Sequence, residues 1–492
     1  MTYLCKVIQT KLALNQGSSQ KRTSKFLKDI GIYAIGNLGS KIITFCMVPL
    51  YTHFIENSSD YGYYDICLTA VFLIMPFVTM QLRDGAFRFL LETEDKLQRV
   101  HIVSMVYRTL ALTFALTIAI ALTIACFFKI DYLGYTIALL LAMSLQEVVS
   151  QVFRGLGDNK AFISVGILSA FGIGVFSVIF VVWADLGIKG IFIANILARI
   201  IAIALVELKV RTIKRFFNIK VPIKDTAKNV LSFSLPLLSG SLCWWLTSSS
   251  DRWFILEFLG RDVNGIYAVS IRFTSILTTF ATIFYQAWQE TAILQYNSPD
   301  RDSFFSKMLS NYIVLLAIMV VGFCFVLKVN YFWLIGNQYS YSKWYLYPMA
   351  ISALLFAVSA FFDMGYQCAK DTARTLPAIT LSAVINVVSN YVLVQIWCVW
   401  GVIATSIITY TVLVIYRWFD MRRYILFTLK KETFAPLIIM LIAGVAYYLT
   451  TFWWQDMLVA FIAISLQLWF MPKAIFHSIS NRFFNKTKCN AQ

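Results

Sequence analysis

Residues 102–127 read IVSMVYRTLALTFALTIAIALTIACF, a long run that contains a single charged side chain, Arg108. An α-helix of about 20 mostly apolar residues crosses the roughly 30 Å hydrocarbon core of a bilayer. Inside lipid the backbone polar groups must bond within their own segment, and this favours a helix. The run therefore predicts a transmembrane helix.

Segments of the same length and character recur along the whole chain. Reading the sequence for them predicts an all-α membrane protein of about fourteen transmembrane helices. The predicted spans are 29–53, 61–83, 102–127, 132–153, 161–184, 187–208, 229–250, 264–288, 308–328, 345–367, 375–398, 400–420, 433–451 and 456–476.

The overall composition supports a membrane protein and excludes a water-soluble domain. Hydrophobic residues make up 59% of the 492 residues and charged residues only 14%, whereas soluble domains carry about 25% charged residues. The net charge of +17 does not indicate nucleic acid, because the basic residues lie in short loops between apolar segments. Most Lys and Arg fall in alternate loops, and the positive-inside rule then places both termini in the cytoplasm.

Three pairs of short sequences repeat at a nearly constant offset. DYGYY at 60–64 resembles VNGIY at 263–267, GIFIA at 190–194 resembles GVIA at 401–404, and the turn 154–162 corresponds to the turn 367–375. This order predicts duplication of a six-span unit. Six is an even number, so the copies share one orientation and are related by a pseudo-two-fold axis along the membrane normal.

The repeat predicts a division of the chain into six parts. These are a cytoplasmic basic tail (1–28), an N-lobe (29–208), a cytoplasmic linker (209–228), a C-lobe (229–420), two further spans (433–476) and a cytoplasmic tail (477–492).

Basic side chains inside predicted spans indicate a binding cavity. A charge at the bilayer centre costs a few kcal/mol on insertion scales, so it needs a partner or a function. Lys41 lies deep in the first span and Arg272 in the eighth. Arg83 and Arg88 flank the inner end of the second span, where snorkelling to the headgroups is the alternative. A cavity lined by unpaired cations would bind an anion.

Acidic and aromatic residues supply further candidates. Glu147, Asp251 and Asp363 lie within or at the ends of predicted spans and could carry a coupling ion. Two of them have structural alternatives: Arg199 could pair with Glu147, and Asp251 with Arg252 could form a solvated pair near the outer face. Four aromatic residues on spans seven and eight could stack on sugars, although such rings in membrane helices more often serve packing or interface belts. They are Trp244, Trp245, Tyr267 and Trp288.

Several kinds of chemistry have no motif in this sequence. It contains no GxxxxGK[ST] phosphate loop and no GxSxG nucleophile elbow. Nine scattered Cys and three distant His predict no metal site. We therefore expect neither a cofactor nor enzymatic activity. A membrane glycosyltransferase or polymerase would need a catalytic base or a large outer loop, and the predicted outer loops are short.

Several motifs in their order resemble one transporter family. They are GSKIITF (39–45), VPLYT (48–52), DYGYYD (60–65), LRDGAFRFLL (82–91), NGIYAVS (264–270), FYQAWQE (284–290) and QCAKDT (367–372). The chain resembles the polysaccharide-transporter branch of the multidrug/oligosaccharidyl-lipid/polysaccharide exporter superfamily, the Wzx-type oligosaccharide-lipid flippases.

The resemblance implies two six-helix lobes around a central cavity that opens to alternate sides of the bacterial plasma membrane. It implies an undecaprenyl-pyrophosphate-linked oligosaccharide as substrate, moved to the outer leaflet, with polymerase and chain-length proteins as partners. In related lipid II flippases basic residues of the first, second and eighth spans line the cavity, and Lys41, Arg83 or Arg88, and Arg272 occupy comparable places. Those relatives also have an Arg-Asp pair where this chain has residues 47–51. A drug/cation antiporter of the same fold is the alternative.

Overall fold

The computed structural model describes residues 43–212, 224–429 and 431–470, except for the single positions 44, 56, 94 and 370. Every regular element in these residues is helical. The principal helices are α1 (45–54), α2 (Ser58–Thr79), α3 (Leu82–Glu92), α4 (Lys96–Phe127), α5 (Leu133–Gly155), α6 (Asn159–Ser177), α7 (Gly187–Val210), α8 (Lys224–Ser234), α9 (Leu237–Ser249), α10 (Asp251–Leu259), α11 (Arg261–Gln295), α12 (Arg301–Leu334), α13 (Lys343–Cys368), α14 (Thr375–Met421), α15 (Phe434–Leu449) and α16 (Trp453–Trp469). A π-helical turn, Val178–Trp183, extends α6.

Ten helices within the described residues are long and apolar enough to cross a membrane. Many of their apolar side chains face outward; Leu112, Leu116 and Leu122 of α4 are each more than half exposed. Such a surface is stable in lipid and not in water. The prediction of a polytopic all-α membrane protein is confirmed. The count of fourteen spans stays a prediction, because residues before 43 lie outside the described part.

The longest helix, α14, contains a sharp break in place of a loop. Cys398 has φ 50° and ψ −131°, values outside the helical region, so α14 consists of two helices in sequence. The predicted boundary between spans eleven and twelve lies at residues 398–400, and the break coincides with it. A side chain at Gly401 would collide with the carbonyl oxygen of Leu393, so glycine permits this tight reversal.

Gly190, the repeat counterpart of Gly401, occupies a similar place at the start of α7. A Cβ there would lie 2.7 Å from the carbonyl oxygen of Phe180, which precedes the turn. Both glycines therefore let the start of one helix pack against the end of the helix before it. The duplication remains a prediction, and this common role supports it.

The predicted seventh span, 229–250, is divided between α8 and α9, and α10 follows it directly. The first break falls at Leu235 and Pro236, as the SLPLL sequence predicts, because proline lacks the N–H that continues a helix. Ser250 separates α9 from α10, although its backbone keeps right-handed helical angles (φ −67°, ψ −23°). Asp251 and Arg252 stand at the start of α10, and their side chains are largely buried.

Helices α15 and α16 are joined to α12 by a buried lysine. The sequence places Lys328 at the end of the predicted span 308–328, but α12 continues to Leu334. The Lys328 ammonium donates to the carbonyl oxygens of Tyr447 (2.7 Å) and Thr450 (2.9 Å), and to the carboxylate of Asp456 (2.8 Å). The side chains of Lys328 and Asp456 are 8% and 5% exposed, so this pair is protected from solvent.

Replacing Lys328 with Met should destabilise the protein by about 3 to 5 kcal/mol, because it leaves the Asp456 carboxylate buried without a countercharge. Thermal unfolding in detergent would measure the effect. The double variant Lys328→Met with Asp456→Leu should recover most of the loss, and Lys160→Met, at an exposed lysine, should leave stability unchanged. Equal destabilisation by the single and double variants would contradict this account.

Candidate functional site: the cavity between the lobes

Three adjoining cavities lie within the C-lobe, between the lobes and on the N-lobe side. A C-lobe cavity of about 330 Å³ shares Ile271 and Ser275 with a central cavity of about 250 Å³. The central cavity shares Leu68, Phe72 and Arg272 with an N-lobe cavity of about 210 Å³. Arg272 of α11 therefore lies where the central and N-lobe cavities meet.

An ion cluster joins the lobes in the central cavity. Asp65 of α2 accepts from Arg252 Nε at 2.8 Å through one carboxylate oxygen, and pairs with an Arg272 terminal nitrogen at 3.3 Å through the other. Asp65 is on the N-lobe side, and both arginines are on the C-lobe side. Arg272 therefore has a partner, and the prediction of an unpaired cation is wrong at this position.

Asp251 and Arg252 are buried rather than solvated, contrary to the sequence-based interpretation of this pair. Asp251 accepts a hydrogen bond from the hydroxyl of Tyr267 and lies 3.5 Å from the Arg252 guanidinium. Asp251 and Tyr267 also line the C-lobe cavity. Helix α10 packs against α2, α11 and α14, and this packing buries the pair.

A second buried arginine lines the N-lobe cavity. Arg199 donates to the amide oxygen of Gln146 at 2.7 Å, so the expected pairing of Arg199 with Glu147 is wrong. The Nε of Arg199 is buried and has no hydrogen-bond partner. Arg199 and Arg272 face the same cavity together with Tyr51, Tyr61 and Tyr64.

Glu147 instead pairs with Arg83, at 2.5 Å between the guanidinium and the carboxylate. This pair joins α3 to α5 inside the N-lobe, and Arg83 also contacts Asp84 at 3.3 Å. Arg88, one helical turn further on, pairs with Glu92 and is about half exposed. Its guanidinium carbon lies 4.4 Å from the ring centre of Phe233 in α8.

Asp363 of α13 pairs with Arg417 of α14 at 2.8 Å. Arg417 also donates to the backbone and hydroxyl oxygens of Ser359. The two helices are thus joined within the C-lobe, away from the Asp65 cluster. Lys41 lies outside the described residues. Within the described residues no group of three or more His, Cys, Asp or Glu side chains could hold a metal ion.

The four candidate aromatic residues lie in different surroundings. Trp244 is 45% exposed and lines the C-lobe cavity with Tyr267. The indole N–H of Trp245 donates to the carbonyl oxygen of Thr69, which joins α9 to α2. Trp288 is buried against Phe305 and Phe361, so in this conformation it presents no free ring face to a sugar.

The lobes also touch where α2 and α11 begin. A Cβ at Gly62 would collide with the carbonyl oxygen of Arg261, and a Cβ at Gly265 with that of Ser58. The side chain of Asn264 donates to the carbonyl oxygen of Gly62 at 2.8 Å. We call this the glycine contact, and the two glycines are equivalent positions of the DYGYY and VNGIY repeat. The predicted topology places it on the outer side.

The opposite ends of the lobes meet through α3 and the broken seventh span. Gln81 donates to Ser241 of α9, and a Cβ at Gly85 would lie 3.0 Å from a methyl group of Val230 in α8. The lobes are therefore in contact at both ends, with the ion cluster between them.

Comparison with known proteins supports the resemblance. A family model described as polysaccharide biosynthesis protein matches residues 26–289, just over half of the chain. No curated protein shows a significant sequence match to the chain.

Solved structures share the fold at low sequence identity. The lipid II flippase MurJ, in an inward closed conformation, has a TM-score of 0.71 and 16% identity over 92% of this chain and 99% of its own. An inward-facing multidrug resistance MATE family transporter of the MOP superfamily has a TM-score of 0.60 and 12% identity over 80% of this chain and 98% of its own.

A MOP superfamily transporter from Pyrococcus furiosus, described as having a binding pocket of reverse polarity, has a TM-score of 0.53 and 13% identity over 81% of this chain and 96% of its own. The fold implied by the resemblance is confirmed. These structures are of transporters and a flippase.

Proposed function

The chain belongs to the polysaccharide biosynthesis protein family, and from that premise we propose that it is a flippase for polyprenyl-pyrophosphate-linked oligosaccharides. It moves undecaprenyl-pyrophosphate-linked repeat units from the cytoplasmic to the outer leaflet of the bacterial plasma membrane by alternating access. Both termini are cytoplasmic in this proposal, and polymerase and chain-length proteins receive the product.

One observation carries the choice of an anionic substrate. Arg252 and Arg272 converge on a single point between the lobes, and Arg199 faces the adjoining cavity. Guanidinium groups bind phosphate oxygens through paired, charge-assisted hydrogen bonds. Among the described residues that line the three cavities, these three arginines outnumber the two carboxylates, Asp65 and Asp251, so the cavities together favour a ligand with negative charge.

The C-lobe cavity has the chemistry of a sugar site. Hydroxyl groups and aromatic rings line it together, which suits a glycan that needs hydrogen bonds at its edges and a ring against its C–H face. The residues concerned are Trp244, Thr247, Ser248, Tyr267, Thr274, Ser275, Thr278, Thr282, Ser352, Ser406 and Tyr410. The glycan would therefore lie on the C-lobe side, with the pyrophosphate at Arg272.

The test is transport by the purified full chain in proteoliposomes. A fluorescent undecaprenyl-pyrophosphate-linked oligosaccharide should cross the bilayer faster than in protein-free vesicles, measured by quenching of the outer leaflet with dithionite. Inorganic pyrophosphate should slow the transfer, because it competes for the same arginines. A drug/cation antiporter would instead move ethidium under a proton or sodium gradient and leave the lipid in place, and that outcome would refute the flippase proposal.

A further inference from the structure

Among the described residues that line the central cavity, the carboxylate of Asp65 is the one charge that the proposed function leaves without a role. Its side chain is only 4% exposed, and each of its two oxygens contacts a different arginine. A buried carboxylate is costly unless it is paired. Asp65 therefore depends on Arg252 and Arg272, and while they hold it they are not free to hold another anion.

These ion pairs cross from one lobe to the other. Asp65 is on α2, whereas Arg252 is on α10 and Arg272 on α11. One turn further along α2, the carbonyl oxygen of Thr69 accepts from Trp245 of α9. Asp65 and Thr69 therefore hold the lobes together in the middle of α2. This contact lies between the glycine contact and the contacts made by α3.

We propose that Asp65 is an internal counter-ion that occupies Arg252 and Arg272 until a phosphate of the substrate displaces it, so that substrate binding releases the lobes from each other. This inference rests on the proposed function. It assigns Asp65 the part of a positioning residue that couples binding to movement. We call the pairs Asp65–Arg252 and Asp65–Arg272 the latch.

The geometry of the latch suits such an exchange. A carboxylate and a phosphate both present oxygens to guanidinium groups in the same bidentate manner, so a phosphate can take the place of the carboxylate. Pyrophosphate carries more negative charge than one carboxylate and compensates both arginines. Arg252 keeps Asp251 at 3.5 Å during the exchange, so it is never without a countercharge.

The consequence for movement follows from the cost of a buried charge. Once displaced, Asp65 lies unpaired in a low-dielectric site, and an uncompensated buried carboxylate is strongly unfavourable. That cost falls when α2 moves away from α10 and α11 and the carboxylate meets water. A ligand shifts a conformational equilibrium only through its differential affinity for the two states, and the latch supplies that difference.

The experiment measures binding of farnesyl pyrophosphate to the purified full chain by calorimetry. Asp65→Asn should bind about tenfold more tightly than the wild type, because a latch closed in nine of ten molecules weakens apparent affinity by that factor. Asp65→Glu, which keeps the charge, should stay close to the wild type. Asp60→Asn removes the same charge from the first turn of the same helix and serves as the matched control.

A second measurement follows the lobes directly. Spin labels at the exposed positions Lys129 and Tyr341, in a cysteine-depleted chain, report the separation of the lobes. The distance should lengthen in Asp65→Asn without ligand and in the wild type with farnesyl pyrophosphate. This readout also shows that the Asp65→Asn variant is folded, because a misfolded chain would give no defined distance.

The outcomes separate the latch from the function. If the wild type binds farnesyl pyrophosphate and Asp65→Asn binds it equally or more weakly, with an unchanged distance, the latch is refuted and the flippase proposal stands. If neither protein binds farnesyl pyrophosphate, and removal of Arg252 and Arg272 leaves the calorimetric signal unchanged, the proposed function is overturned and the latch with it.

Discussion

Replacing Arg272 with Ala should abolish surface polysaccharide in a cell that depends on this chain for export. The variant loses a charge-assisted contact to phosphate and leaves Asp65 with one partner in place of two. A buried charge contact of this kind is worth about 2 to 5 kcal/mol, and the lower value already corresponds to a roughly thirtyfold slower transport. The measurement is the amount of polymer on the cell surface, determined by immunoblot at equal levels of the variant and the wild-type protein.

Two matched variants make this test specific to the chemistry of the side chain. Arg272→Lys keeps the charge but lacks the planar fork that binds two oxygens at once, so transport should be reduced without being lost. Arg301→Gln removes an arginine that pairs with its neighbour Asp302 at the start of α12, away from the cavity, and should transport normally. Normal polymer in Arg272→Ala would contradict the assignment of Arg272 to substrate.

The same substitution at Lys41 is a further test, because the resemblance implies that Lys41 and Arg272 line one cavity. Lys41 lies outside the described residues, so its position is still a prediction. If Lys41 and Arg272 line one cavity, Lys41→Ala should reduce surface polysaccharide as Arg272→Ala does.

The helices were predictable from the sequence because the forces that form them are local. Apolar length predicts the spans, Pro236 predicts the break after α8, and residues 398–400 mark the break in α14. Gly62 and Gly265 stood out through the repeat, although only the structure shows that they touch. Each of these signals is contained within a few neighbouring residues.

The ion cluster was not predictable in the same way. Asp65 lies 187 and 207 positions from Arg252 and Arg272, and no local pattern indicates which distant charges will meet. A signal for Asp65 did exist, because it is a lone carboxylate within the apolar span 61–83 and closes the DYGYYD motif. Arg252 was misjudged because packing of α10 against α2 and α11, which no local pattern indicates, buries the start of α10.

The aromatic residues show the same limit. Trp244 and Trp288 are indistinguishable as candidates when only their span and residue type are known. In the structure Trp244 lines a cavity, whereas Trp288 fills the C-lobe core beside Phe304, Phe305 and Phe361. Packing between distant helices decides which ring remains available, and a single sequence does not encode that choice in its local pattern.

Gly62→Ala should hold the lobes apart where α2 and α11 begin and should slow transport. The added methyl group meets the carbonyl oxygen of Arg261, and the neighbouring backbone of Gly265 leaves no room for adjustment. Overpacking costs about 1 to 3 kcal/mol, which shifts an equilibrium between closed and open forms by about 5- to 150-fold. The Lys129–Tyr341 label pair should report a longer distance, and proteoliposome transfer should fall accordingly.

The control for Gly62→Ala is Gly134→Ala, at a helical glycine whose Cβ would meet nothing within 4 Å. Both substitutions make the same change in helix propensity, so only the contact between lobes distinguishes them. Gly265→Ala should reproduce the effect of Gly62→Ala, because its methyl group would strike the carbonyl oxygen of Ser58 from the other lobe. A closed distance and full transport in both variants would show that the lobes need not meet at these glycines during the cycle.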